Sequence, residues 1–424
     1  MSNKQILAAI VSIGDEILNG TTINTNASWI STQLQPLGIS IHEVIAISDN
    51  AQHITSCLES YLNRVQLIVI TGGLGPTKDD ITKKTLCTLF GSELVFDQDI
   101  YNRLKETFEK RNIPFTENNR DQAMYPNNCR VLPNALGTAQ GMWFDRNGTI
   151  VVSLPGVPFE MKGLMTDQVI PLIRQTFTLP VILNRYFMTS GISESYLARQ
   201  LESVEDKLPD YIGLAYLPSP AVVKLRLTAQ GRPVSEMEEM LNRLSAEVSG
   251  ILGSGIYAFE PVLLEEHIGK LLKESGKTLS IAESCTGGKL SHKITSVPGS
   301  SAYFPGSMVT YSYAIKTSHL QVPEEVLQTY GAVSQETIEY MLDGALRQFG
   351  SDYAIAISGI AGPDGGTPEK PVGTVWIGVA GNGDRFIKKH FFNKNREINI
   401  EYACMFALHE LRLLLSKHLA KPAQ

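Results

Sequence analysis

The run Ala282-Glu283-Ser284-Cys285-Thr286-Gly287-Gly288 sets a carboxylate, a hydroxyl and a thiol side by side. It follows the apolar stretch Thr278–Ala282 and precedes Lys289–Val297, whose spacing is helical. Strand, small-residue turn, helix: this layout exposes a side chain at the turn and aims the N–H groups of the helix start at it. A serine is inert at its own pKa and needs a base within hydrogen-bond reach. No histidine belongs to the turn. His292 lies a helical turn or more beyond it, and His390 falls in a basic strand. A Ser-His-Asp triad is therefore poorly supported, and Cys285 has no histidine to activate it. The nearby partners are Tyr311 and Lys316. An ammonium beside a phenol lowers the phenol's pKa, and the phenolate can then take the serine proton. A spacing of five puts the two on different faces of one continuous helix, so they meet only if a strand ends near Tyr311 and the chain turns before Lys316. Each residue also has a plain structural reading: Ser284 or Glu283 as a helix cap, Tyr311 as a strand-end core residue, Lys316 as a solvated helix residue.

A second group of candidates sits in two loops near the start. One is Gly14-Asp15-Glu16-Ile17-Leu18-Asn19-Gly20, continuing to Asn24-Thr25-Asn26. The other is Thr71-Gly72-Gly73-Leu74-Gly75-Pro76-Thr77-Lys78-Asp79-Asp80-Ile81-Thr82. Glycines let backbone amides approach phosphate oxygens, and a helix start after Pro76 adds a favourable dipole. Asp79 and Asp80 are hard oxygen ligands suited to a divalent metal, which neutralises a pyrophosphate. A turn with capping carboxylates is the alternative for either loop.

Elements that would position these residues follow from periodicity. Ile6–Ile13, Ile39–Ile47 and Leu67–Thr71 read as buried strands, alternating with helices over Asn26–Leu34 and His53–Val65. This βαβαβ rhythm predicts a parallel sheet with helices on both faces, and ligands beyond its carboxyl ends. Val222–Thr228 alternates as a half-buried strand, and Pro233–Leu252 is amphipathic, opening at Ser235. Further on, Leu263–Lys273 reads as a helix, Ser307–Tyr311 as a strand, Tyr313–Leu320 as a helix, and Val333–Phe349 as a helix capped by Ser334. Tyr353–Ser358 and Gly373–Ala380 are buried strands flanking the glycine-rich loop Gly359–Gly366. A closing helix begins at Arg396, with Ile400, Ala403, Cys404, Ala407, Leu408 and Leu411 on one stripe.

Composition bounds the rest. With 424 residues, 43% apolar and 19% charged, the chain should hold two or three domains with sizeable cores. A net charge of −6 gives no support to a nucleic-acid or acidic-membrane surface. No apolar run reaches the roughly 20 residues of a membrane span, and the first apolar run is too short for a signal peptide. Five scattered cysteines without a CxxC read as reduced thiols in a cytoplasmic protein.

Two resemblances join these observations. The GDEIL and TGGxGPTxDD loops, with Leu154-Pro155-Gly156-Val157-Pro158 and Glu160-Met161, resemble the molybdopterin-binding (MoaB/MogA-like) domain. That family binds a pterin phosphate or nucleotide there, which implies binding roles for Gly72, Gly73, Gly75, Thr77, Asp15 and Glu16, and a metal at Asp80 with Asp79. AESCTGG, PGSSAYF, VTYSxxxK, and SGIAGPDGG followed by PVGTVW resemble the CinA C-terminal domain, over about residues 260–415. The whole chain is thus similar to full-length CinA. The implied fold is α/β: a three-layer molybdopterin-binding-like domain over 1–172, a small α+β KH-like linker domain over 173–257, and a three-layer CinA domain over 258–424.

The implied activities are two. The C-terminal domain would hydrolyse nicotinamide mononucleotide (NMN) to nicotinate mononucleotide and ammonia without a cofactor. Ser284 would be the nucleophile and Tyr311 and Lys316 its activating partners. Glu283, Thr286, Gly287 and Gly288 would line the substrate, and Gly359, Ala361, Gly362 and Arg396 would hold the ribose phosphate. The N-terminal domain would be a metal-dependent ADP-ribose pyrophosphatase. Partners would be small nucleotides and a second copy in a homodimer, with no nucleic acid or membrane. In the middle domain the one GxxG match, Gly250-Ile-Leu-Gly253, is apolar and lies at a helix end, so a spacer or dimer surface is expected there. The family pattern carries Asn where Tyr313 stands. Two rivals are a competence- or damage-linked binding protein without turnover, and a molybdopterin-handling enzyme.

Overall fold

The computed structural model describes residues 5–75, 81–110, 112, 114–115 and 117–419, with 117 and 118 described by backbone alone. The chain divides into two compact units, Met1–Ile182 and Leu183–Gln424. The expected boundary at 172 lies within the helix Ile170–Thr176, and the division into compact units follows Ile182. The second unit holds both the middle and the C-terminal segments.

In the first unit a six-stranded sheet runs in the order Ile39–Ile47, Ile6–Ile13, Leu67–Thr71, Thr149–Leu154, Gly141–Arg146, Arg130–Leu132. The first four strands are parallel, and the last two antiparallel. The antiparallel edge follows from Asn147-Gly148, both at positive φ, which turn the chain so that Arg146 pairs with Thr149. Asn-Gly in a two-residue loop is a strong local hairpin signal, and here it ends the parallel rhythm. Alternate residues of each central strand feed opposite cores. Ala8, Ile10, Val69 and Val152 pack with the helix Thr25–Leu34, and Ala9, Val11, Ile68, Ile70 and Val151 with the helix Ala51–Tyr61.

The second unit has two sheets. The smaller orders Ile212–Ser219, Val222–Gln230, Ile182–Ser190 and Ile256–Ala258, covered by helices Glu194–Glu205 and Val234–Leu252. Gly250 lies in the last turn of that second helix and Gly253 caps it. The larger sheet orders Gly306–Val309, Leu279–Glu283, Tyr353–Gly359, Thr374–Gly381 and Asp384–Phe391. Its first three strands are parallel and its last two antiparallel. From Leu279–Glu283 the chain crosses to one neighbour and later returns on the other side, which leaves a crevice at the carboxyl end of that strand. The closing helix Arg396–Leu419 lies on one face. It buries more than the single expected stripe, because Asn399, Met405, Glu410, Arg412, Leu414 and Leu415 are also covered. Arg412 reaches the Ser254 carbonyl oxygen at 2.8 Å, so one flank of the helix meets the smaller sheet's connections.

On the other face the helix Tyr313–Leu320 packs against Gln335–Phe349. Gly344 permits that approach: a Cβ there would stand 2.7 Å from Leu320 Cβ and 2.8 Å from Leu320 Cα. Arg347 and Gln348 donate to the carbonyls of Leu320 and His319, closing the end of the shorter helix. Gly344→Ala should force the helices apart and cost about 1–3 kcal/mol, read as a thermal midpoint roughly 3–10 °C lower. An unchanged midpoint would show that the shorter helix is free to shift.

Candidate active site

Ser284 begins the turn after the strand Leu279–Glu283. Its N–H donates to the Ile357 carbonyl at 2.9 Å, and its own carbonyl accepts the Gly287 N–H at 3.1 Å. Gly287 and Gly288 have φ of 59° and 98°, conformations that a side chain would strain. The turn then opens into the helix Lys289–Thr295.

Glu283 has no exposed surface. Its carboxylate accepts the N–H groups of Gly288 at 3.0 Å, Leu290 at 3.2 Å and Ser291 at 2.9 Å, and the Ser291 hydroxyl. It caps the helix and does not face a ligand, which corrects the expectation of a substrate contact. The amides of Gly287 and Gly288 are engaged inside the turn, so neither is free as a donor, while Gly287 itself is exposed. Within this turn the described backbone carbonyls accept no hydrogen bond from the N–H groups of Cys285 and Thr286, the former lying against its own thiol. The Thr286 hydroxyl is also buried without a partner.

Lys316 is brought in from the neighbouring strand. That strand stops at Val309, earlier than expected, and the chain turns through Thr310–Ser312. Ser312 caps the next helix by accepting the Ile315 N–H at 3.3 Å. The turn needed for convergence is therefore present, but it carries Lys316 to the serine and not to the phenol. Lys316 Nζ donates to Ser284 Oγ at 3.0 Å, to the Thr310 carbonyl at 2.6 Å and to the Tyr311 carbonyl at 3.3 Å. Lys316 is fully buried, not a solvated helix residue. Tyr311 is 60% exposed, and its hydroxyl accepts from Arg396 Nη2 at 3.3 Å. The two part because Tyr311 precedes the helix cap whereas Lys316 sits one turn inside the helix.

Burial pulls the Lys316 ammonium down to about 8, opposed by Cys285, while burial pushes the Cys285 thiol up to about 12. At pH 7 about a tenth of Lys316 is thus an amine, and near pH 8 about half. Two carbonyls hold its two N–H groups, which leaves the lone pair for the Ser284 hydroxyl. Such a pair can abstract the serine proton, and the protonated cysteine cannot compete as a nucleophile.

The third wall is the loop after Tyr353–Gly359. Arg396 Nη1 donates to the Gly362 carbonyl at 2.6 Å, and the buried Asn399 donates to the Ala361 carbonyl at 3.0 Å. Asn399 has no motif to announce it; its i,i+3 relation to Arg396 on the closing helix is the only sequence signal. Gly359 lies so close to the next strand that a Cβ would meet Val375 Cγ2 at 2.7 Å.

In the first unit both glycine loops line one cavity of about 820 Å³, with Asp15, Glu16, Asn26, Gly72, Gly73 and Gly75 on its wall. Asp49 and Glu160 join them, Asp49 without any sequence signal. Asn26 donates to the Gly156 carbonyl at 2.7 Å and to Thr71 Oγ1 at 3.1 Å, tying the loops together. Thr77, Asp79 and Asp80 lie outside the described residues. Among the described residues no three acidic, histidine or cysteine side chains converge as a metal site.

The fold and sites define a chain with a glycine-loop α/β domain ahead of a serine–lysine α/β domain. Residues 9–175 match the probable molybdopterin binding domain, 184–258 the damage-inducible protein CinA KH domain, and 262–415 the CinA C-terminal domain. A CinA-like protein from Cytophaga hutchinsonii is 45% identical over 98% of this chain and 99% of its own. A putative competence-damage inducible protein from Halothermothrix orenii is 36% identical over 96% and 99%. A solved CinA superfamily protein from Klebsiella pneumoniae is 35% identical, covering 36% of this chain and 96% of its own, with a TM-score of 0.36. The chain belongs to the CinA family.

The low Lys316 value has a stability signature of definite sign. The unfolded side chain titrates near 10.5 and the folded one near 8, so between those values the unfolded state binds more protons and folding stability rises with pH. Wild type should therefore gain on Lys316→Met by up to about 3 kcal/mol from pH 8 to 10.5. Unfolding midpoints that run parallel for the two proteins across this window would show that the amine is not held dry.

Proposed function

We propose that the second unit is a serine amidohydrolase that hydrolyses the carboxamide of NMN, giving nicotinate mononucleotide and ammonia. The observation that carries this reading is the buried 3.0 Å contact between Lys316 Nζ and Ser284 Oγ. Neutral Lys316 takes the hydroxyl proton as Ser284 Oγ attacks the carboxamide carbon. The developing oxyanion meets the Cys285 and Thr286 N–H groups. The lysine ammonium then passes its proton to the departing nitrogen, and ammonia leaves an acyl-serine. Water attacks that ester with Lys316 again as base, and the serine recovers its proton. Arg396, exposed and without a carboxylate partner among the described residues, is the charge available for the ribose phosphate.

Ammonia release from NMN should be readily measured with wild type and vanish in Ser284→Ala. Lys316→Met should lower kcat by at least about a thousandfold, and Cys285→Ala should stay within about threefold. The wild-type rate should rise with pH through about 8 as Lys316 loses its proton. Wild type that releases no ammonia sinks the reading. Equal activity in Ser284→Ala moves the nucleophile elsewhere.

For the first unit we propose hydrolysis of the ADP-ribose pyrophosphate, supported by the glycine-lined cavity and its converging loops. The described carboxylates do not by themselves make a metal site, and the resemblance assigns the divalent ion to Asp79 and Asp80. AMP should form from ADP-ribose only with a divalent metal, and fall at least about tenfold in Asp80→Ala. Metal-independent AMP formation would remove that assignment.

A further inference from the structure

The Ser284–Lys316 mechanism leaves Tyr311 without a chemical task. Its position suggests another. The strand Leu279–Glu283 lies between Gly306–Val309 and Tyr353–Gly359. Tyr311 follows one outer strand and Gly362 the other. Arg396 joins them, donating to the Tyr311 hydroxyl at 3.3 Å and to the Gly362 carbonyl at 2.6 Å. The Tyr311–Arg396–Gly362 link therefore spans the end of the middle strand, where Ser284 stands. Lys316 bonds both Ser284 Oγ and the Tyr311 carbonyl, which fixes the tyrosine backbone beside the nucleophile. The side chain is 60% exposed, and its ring face takes part in no aromatic pair or cation–π contact among the described residues. Its one side-chain bond is long and neutral on the phenol side.

We propose that Tyr311 is an aromatic latch that closes its ring face on the pyridinium ring of the substrate and selects a cationic ring over a neutral one. Its identity as a pyridinium latch rests on the amidase reading above. A guanidinium bonds a phosphate more strongly than a neutral phenol, so the substrate phosphate displaces the Tyr311 hydroxyl from Arg396 and frees the side chain. A ring carrying positive charge is attracted to the electron-rich face of tyrosine, and a neutral dihydropyridine of the same shape is not. The hydroxyl serves only to hold the latch before substrate arrives. Proton transfer belongs to Lys316.

The experiment uses the full chain with Tyr311, Tyr311→Phe and Tyr311→Ala. Ammonia release is measured in the otherwise wild-type background, and binding of NMN and of its 1,4-dihydro form by calorimetry in Ser284→Ala. Tyr311→Phe should keep kcat within about threefold and retain the preference for NMN. Tyr311→Ala should weaken NMN binding by roughly tenfold, leave the dihydro form within about twofold, and erase the preference. Its thermal midpoint should match wild type, since the side chain is exposed. A kcat lost equally in Tyr311→Phe and Tyr311→Ala returns the hydroxyl to the chemistry and overturns the latch. NMN binding unchanged in Tyr311→Ala also overturns it. Either pattern with ammonia still released by wild type removes the latch alone, whereas no ammonia from wild type removes the amidase reading and the latch together.

Discussion

A lysine with no carboxylate beside it among the described residues, fully buried and bonded to a serine hydroxyl, is the constraint around which the second unit is built. An isolated buried ammonium is costly, and the cost falls when the proton leaves. The fold exploits that preference. It supplies backbone carbonyls at Thr310 and Tyr311 for the two amine hydrogens, and a hydroxyl for the remaining direction. The strand end at Glu283 accepts the Thr310 N–H at 2.8 Å, so the two limbs that carry Ser284 and Lys316 are bonded to each other. Glu283 thereby holds one limb through its carbonyl and the other turn through its carboxylate.

Much of this was readable from residue order. Strands at Ile6–Ile13, Ile39–Ile47 and Leu67–Thr71 and the helix at Tyr313–Leu320 fall where periodicity puts them, because long apolar runs and clear caps admit few alternatives. The motif turn at Ser284 also has the expected strand–turn–helix form. The partner assignment was less legible. Types and spacing could say that Tyr311 and Lys316 must be separated by a turn, but not which of the two points inward. That depends on the Ser312 cap, which sets the phase of the helix and sends Lys316 inward. Glu283 shows the same limit. A carboxylate next to a serine reads equally as a ligand contact or a cap until the three amides facing it are seen. Asp49 carried no signal and Asn399 only its i,i+3 spacing from Arg396, since their positions matter only when distant segments meet.

The two units place their sites by one topological rule. In each, parallel strands end together and glycine-rich turns follow, so backbone groups line the crevice beyond the sheet. They differ in what fills it. The first cavity gathers Asp15, Glu16, Asp49 and Glu160, whereas the second carries a buried amine and an exposed guanidinium. Antiparallel hairpins close the far side of both sheets, at Asn147-Gly148 in one and Asn382-Gly383 in the other.

The close approach at Gly344 has a further meaning. The helix that carries Lys316 rests there on bare backbone, at Leu320, one turn beyond the lysine. The register of the amine against Ser284 is therefore tied to how closely two helices pack at a point away from the serine.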